Sequence, residues 1–217
     1  TYDYPFEMNV IPELNIAQLD CITEVCLGQD YLIENNIFGY TASGFINGQL
    51  NVEIDGVPYT ILEGQPIVLP CSSEEVGHHN YQFSNLSNGY CEGTITDGYF
   101  DVTILNTPEL TIANPIVNIC EGETATFELA VTGGHENHPF VVSGTGIDEF
   151  SFIENSHILE LTPSENTVIN LNRILSQGGS CSYDCENVLD ITLTVNVEPY
   201  VAQPEISGDA ELDVRLT

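Results

Sequence analysis

From residue 189 onward, hydrophobic and polar positions alternate. Leu189, Ile191, Leu193, Val195 and Val197 fall on one side of an extended chain, and Asp190, Thr192, Thr194 and Asn196 fall on the other. Successive side chains of a strand point to opposite faces, so this period of two predicts a strand with one buried and one wet face. Shorter runs of the same kind precede it: TATFELAV, HPFVVSG, EFSFIE, HILELT and TVINLNRIL. Each is rich in β-branched or aromatic residues and bounded by Gly, Pro, Asn, Asp or Ser. No helix of ordinary length is expected, and the chain reads as all-β.

The pattern repeats along the chain. An alternating strand, a proline and a second short strand occur around Pro12, Pro108 and Pro199, in steps of 96 and 91 residues. Cys26 in VCLGQ corresponds to Cys120 in ICEGE, 94 residues on, and Pro70 to Pro163 at a distance of 93. Cys91 and Cys181 are 90 apart. A period held by several landmarks marks tandem domains. The expected division is the last strand of a preceding repeat at 1–11, repeats at 12–106 and 107–198, and the first strands of a following repeat at 199–217. About seven short strands in a unit of this size predicts an immunoglobulin-like β-sandwich.

Seven cysteines with one methionine and no tryptophan suit an oxidising, extracellular setting. Repeat position suggests Cys26 with Cys91 and Cys120 with Cys181, each closing a loop worth roughly 4 kcal/mol. Cys21 and Cys71 then remain to pair in the first repeat, although four cysteines permit three connectivities. Cys185 is left over, as a free thiol or a covalent tie to a neighbouring domain or subunit. Cys181 and Cys185 lack the second ligand pair that zinc requires.

Charge narrows the partners. There are 33 acidic residues against two basic ones, Arg173 and Arg215, for a net charge of -31. Such a surface repels nucleic acid and anionic membranes. The 19 Tyr and Phe argue for a folded core beneath an acidic skin rather than for disorder. No apolar run has the ~20 residues of a membrane helix. No signal peptide begins the chain, which is expected either to have lost a leader or to be an excerpt of something longer.

Carboxylates at Asp97, Asp101, Asp148, Glu149, Asp209 and Asp213 could offer oxygens to calcium, although none forms an EF-hand loop. No other cofactor is expected. The HENH stretch at 135–138 reads as a solvated turn, and HHNY at 78–81 and HENH are the exposed loops that could meet a glycan or protein. No nucleophile elbow, zincin helix, phosphate loop or dinucleotide fingerprint is present. An enzyme is not expected.

The stretches ICEGETATFEL, LELTPSENTVINLNRILSQGGSC and DITLTVNVEP resemble the PKD-like or Ig-like repeats of giant Bacteroidetes surface proteins, including gliding-motility adhesins exported by the type IX system. The resemblance covers the second repeat well and the first more loosely. It implies an exported, surface-anchored stalk of many domains, located outside the cell, with paired cysteines at Cys120 and Cys181 and no catalytic residues. Its expected partners are neighbouring repeats or like subunits, and surface glycans or proteins. Departures are the added stretch NGQLNVEIDGVPYTILEGQ, the extra cysteine pair of the first repeat, and Cys185. Accessory domains of a secreted enzyme and a glycan- or protein-binding module are the alternative functions.

Overall fold

The computed structural model describes residues 10–17, 23–34 and 39–199. The first repeat holds β1 (Glu13–Ile16), β2 (Glu24–Cys26), β3 (Tyr31–Ile33), β4 (Tyr40–Ser43), β5 (Gln49–Ile54), β6 (Val57–Leu62), β7 (Ile67–Leu69), β8 (Gly77–Ser87), β9 (Thr94–Thr96) and β10 (Tyr99–Leu105). A 3-10 turn, Cys71–Ser73, interrupts them. The second holds β11 (Glu109–Ile112), β12 (Ile116–Cys120), β13 (Ala125–Thr132), β14 (Phe140–Thr145), β15 (Phe150–Phe152), β16 (Ser156–Leu161), β17 (Thr167–Ser176) and β18 (Cys185–Glu198). No described helix is long and apolar enough to cross a membrane.

Each repeat sets a five-stranded sheet against a smaller face. The large sheets run β2-β10-β8-β5-β6 and β12-β18-β17-β14-β15. In both, a short early strand lies parallel to the last strand of the repeat: β2 against β10 and β12 against β18. The opposing face of the second repeat is one sheet, β11-β13-β16. That of the first is divided into β4-β1-β9 and the two-stranded β3-β7. Both repeats are immunoglobulin-like sandwiches.

The added stretch of the first repeat is a hairpin at the edge of the large sheet. β5 and β6 meet through Asp55 and Gly56, whose φ values of 51° and 77° are those of a type I′ turn. In β13, Ala125, Phe127, Leu129 and Val131 are buried while the residues between them are exposed, as alternation predicts. One core gathers Leu14, Tyr40, Leu50, Ile61, Phe100 and Ile104; the other gathers Phe127, Phe140, Leu171, Ile174, Leu193 and Val195. Tyr183, from the second repeat, packs against the first core.

Candidate functional site: the junction between the repeats

The loop 177–184, between β17 and β18, carries the contacts that join the repeats. Its end meets β2, the short edge strand of the first repeat, in a ladder-like way. Tyr183 N donates to Glu24 O at 3.1 Å, and Glu24 N donates to Ser182 Oγ at 3.0 Å. Beside them Gln29 Nε2 donates to Asp184 O, and Tyr31 Oη donates to Cys181 O at 3.3 Å. The rings of Tyr31 and Tyr183 stack at 5.2 Å between centroids, and Tyr183 Oη accepts from Leu32 N.

A disulfide locks this contact. Cys26, at the end of β2, is bonded to Cys185, the first residue of β18, with the two Cα atoms 5.5 Å apart. Both are buried. The bond spans 159 positions of sequence and joins one repeat to the next.

His135 is the polar centre. Gly133 and Gly134, both at φ 76°, turn the chain beneath it; a Cβ on Gly134 would stand 2.6 Å from Ser176 Oγ, so only glycine fits there. His135 N donates to Ser176 Oγ at 2.8 Å. Its ring lies 2.7 Å from Glu24 Oε2 through Nδ1 and 2.7 Å from the Tyr183 carbonyl oxygen through Nε2. Nε2 also lies 3.4 Å from Cys185 Sγ. A buried imidazole is thus satisfied on both nitrogens, by groups from both repeats. The expected HENH turn is present, with Glu136 and Asn137 exposed, but His135 itself is buried against the neighbouring repeat rather than solvated.

The cysteine pairings are corrected by the same geometry. Cys71, Cys91 and Cys120 are free thiols, so Cys26–Cys91, Cys120–Cys181 and Cys21–Cys71 are not bonded pairs. Of the alternatives for Cys185, the tie to a neighbouring domain holds, and the free thiol and the intersubunit link do not. Cys181 is disulfide-bonded, and Cys21 lies outside the described residues.

Strand direction explains the failure. Cys26 stands opposite Leu105, the last residue of β10, whereas Cys91 precedes β9 and β10. The seven residues of β10 separate those poles by about 23 Å, whereas a disulfide needs Cα atoms within about 7 Å. Cys120 stands opposite Glu198 at the end of β18, and Cys181 precedes that strand of 14 residues. Cys71 is buried in the first core, where it accepts from Tyr81 Oη at 3.3 Å and burial raises its thiol pKa.

The remaining predicted residues do not converge. Asp97 occupies the turn between β9 and β10; Asp101, on β10, accepts from Asn80 Nδ2 at 2.7 Å. Asp148 and Glu149 lie between β14 and β15. Asp209 and Asp213 lie outside the described residues. Among the described residues no three His, Cys, Asp or Glu side chains group as metal ligands. HHNY is not a loop: His78 and His79 lie within β8 and pair with Thr103 and Val102. Of the two arginines, Arg173 forms an exposed pair with Glu186 at 2.9 Å, and Arg215 lies outside the described residues.

A cleft of about 680 Å³ opens along the junction, lined by Glu24, Thr103, Asn106, His138, Ser180 and Ser182 among others.

No protein-family model and no curated protein matches the chain. Solved structures do resemble it. A three-Ig structure of titin domains I67–I69 is 12% identical, with a TM-score of 0.46, over 88% of this chain. The fibronectin(III)-like modules of Clostridium thermocellum CbhA are 12% identical, with a TM-score of 0.38, over 85% of this chain and 91% of theirs. The four N-terminal Ig domains of Dscam1 isoform 6.9 are 13% identical, with a TM-score of 0.34, over 87% of this chain. The chain spans 65% of the titin structure and 46% of the Dscam1 structure.

Proposed function

We propose that the chain is a structural, adhesive-type segment of a long extracellular stalk or surface filament, in which each sandwich is fixed to the next. The observation that carries this reading is the Cys26–Cys185 bond between repeats. Domains that only need to be near one another can share a flexible linker, whereas a covalent tie beside a buried histidine fixes their relative angle and transmits load. The acidic skin, with net charge -31, keeps such segments soluble and apart from one another.

On this reading the protein is not an enzyme, sits at the cell surface, and has neighbouring repeats or like subunits as its first partners. The finer assignment, to stalks of the gliding-motility adhesin type exported by the type IX system in Bacteroidetes, rests on the sequence resemblance of the second repeat. Binding of a surface glycan or protein draws support from the cleft at the junction, where Glu24, Asn106, His138 and Ser180 offer hydrogen-bonding groups beside apolar surface.

Small-angle X-ray scattering tests the rigid joint. The native chain is expected to give an elongated particle with a single inter-domain arrangement, and the double variant Cys26→Ala/Cys185→Ala a broader distribution of distances. Equal breadth for the two proteins would sink the load-bearing joint.

A further inference from the structure

The turn that carries Cys26 recurs at the far end of the second repeat. In Cys26-Leu27-Gly28-Gln29, Cys26 N donates to Gln29 Oε1 at 3.0 Å and Gln29 N donates back to Cys26 O at 2.9 Å. Leu27 N donates to Leu105 O at 2.8 Å, and Gly28 has φ 88°. In Cys120-Glu121-Gly122-Glu123, Cys120 N donates to Glu123 Oε2 at 2.8 Å and Glu123 N donates back to Cys120 O at 3.0 Å. Glu121 N donates to Glu198 O at 2.9 Å, and Gly122 also has φ 88°. Each cysteine stands opposite the last residue of its repeat's final strand.

The two sulfurs therefore hold one structural position and differ in what lies beyond them. Cys26 is 1% exposed and bonded to the next repeat. Cys120 is an exposed thiol. The sequence past β18 restarts the pattern: Pro204-Glu205-Ile206 follows Pro108-Glu109-Leu110 by 96 residues, the same step that separates Pro108 from Pro12.

We infer that Cys120 is the outgoing half of a second cross-repeat disulfide. Its partner is the cysteine that opens the last strand of the following repeat, the place Cys185 holds in this one. The inference rests on reading the chain as tandem repeats of a stalk. It makes the joint a repeating covalent device rather than a peculiarity of one junction.

Forming the bond removes two protons and two electrons from the two thiols. The oxidant is a disulfide, from a thiol–disulfide oxidoreductase or an oxidised small thiol, which is reduced to two thiols. Glu123, then the thiol's slight desolvation and Glu198, raise the Cys120 pKa. Fewer thiolates at neutral pH slow unassisted oxidation before the next domain has folded. Asn118 and Glu123 stand where Glu24 and Gln29 stand at the first joint, so the covalent bond recurs while the polar contacts around it change.

Peptide mapping of the native protein, isolated from its source under alkylating and non-reducing conditions, tests this. The chain contains no lysine, so a glutamate-specific protease is the suitable one; cleavage after Glu109 and Glu121 isolates Cys120 in peptide 110–121. The expected product is that peptide joined to one from the sequence after residue 217, lighter than the two by two hydrogens. Cys120→Ser should abolish it and leave the Cys26–Cys185 pair intact. Alkylated Cys120 in the unreduced protein, or Cys120 joined to Cys91 or to another copy, would overturn the inference. The stalk reading is judged separately, by the scattering profile.

Discussion

The two repeats share one frame but close it with different chemistry. The second buries Phe127, Phe140 and Phe152 and keeps its small face as one sheet. The first divides that face and buries Tyr31, Tyr40 and Tyr81. Each of these hydroxyls has a partner: Tyr31 donates to Cys181 O, Tyr40 to Gln65 O, and Tyr81 to Cys71 Sγ. A continuous sheet satisfies its own backbone and needs only apolar filling. Around a divided face more backbone and polar groups lie outside the ladders, and amphipathic rings fill the core while their hydroxyls satisfy loop carbonyls and a buried thiol. Tyrosine therefore concentrates in the first repeat for a structural reason, with no catalytic role required.

The largest test replaces the matched rings. Tyr40 and Phe127 are 0% and 1% exposed, so Tyr40→Ala and Phe127→Ala should each cost about 3–5 kcal/mol. Calorimetry should assign the first loss to the first repeat and the second loss to the second. If Tyr40→Ala destabilised the second repeat more than the first, the two cores would not be separate units.

Alkali should distinguish the repeats next. Burial, then Tyr59 and Glu34, push the Tyr40 phenol up to about 12, and burial first of all raises Tyr31 and Tyr81. Below pH 10 these phenols are protonated whether the chain is folded or unfolded, and the stabilisation is fully present. Between pH 10 and 12 the unfolded phenols ionise while Tyr40 holds its proton, so stability falls. A two-unit shift corresponds to roughly 2–3 kcal/mol for Tyr40 alone. Among the described residues the second repeat places no tyrosine in its own core. Phenolate absorbance and amide exchange should therefore show the first repeat opening first as pH rises; simultaneous opening would remove tyrosine as the cause.

Much of this was legible in the sequence. Alternation in residues 125–132 and 189–197 identified strands and faces, because packing against a single core forces period two. The structure gathers two separate cores, one between Leu14 and Ile104 and one between Leu110 and Val195. The junction was not legible, because repeat correspondence groups residues of like position whereas a disulfide joins residues of like place in space. Cys26 and Cys91 are landmarks of one repeat at opposite poles of β10, and the sulfur that reaches Cys26 comes from the next domain. The readable signal was Cys185 itself, a cysteine with no counterpart in the first repeat and standing at the start of a final strand. His135 was missed because nothing in HENH encodes the surface that covers it.

The smallest test concerns one hydroxyl. In β3-β7, Leu32 and Val68 face each other in register, and their N–H groups point outward, where a wider sheet would place further strands. Two tyrosines stand there instead: Leu32 N donates to Tyr183 Oη at 3.2 Å and Val68 N to Tyr59 Oη at 3.1 Å. Tyr59→Phe keeps the ring and removes the acceptor, and because Val68 is only half-buried, water can replace part of the lost bond. The expected cost is about 0.5–1.5 kcal/mol in the first repeat, read as a lower denaturation midpoint. Tyr183→Phe should cost a similar amount at the junction, affecting both repeats, since the ring that loses its hydroxyl belongs to one domain and the amide left without it to the other. A neutral outcome for both would mean that the divided face is held by ring packing alone, and that the hydroxyls do not stand in for missing strands.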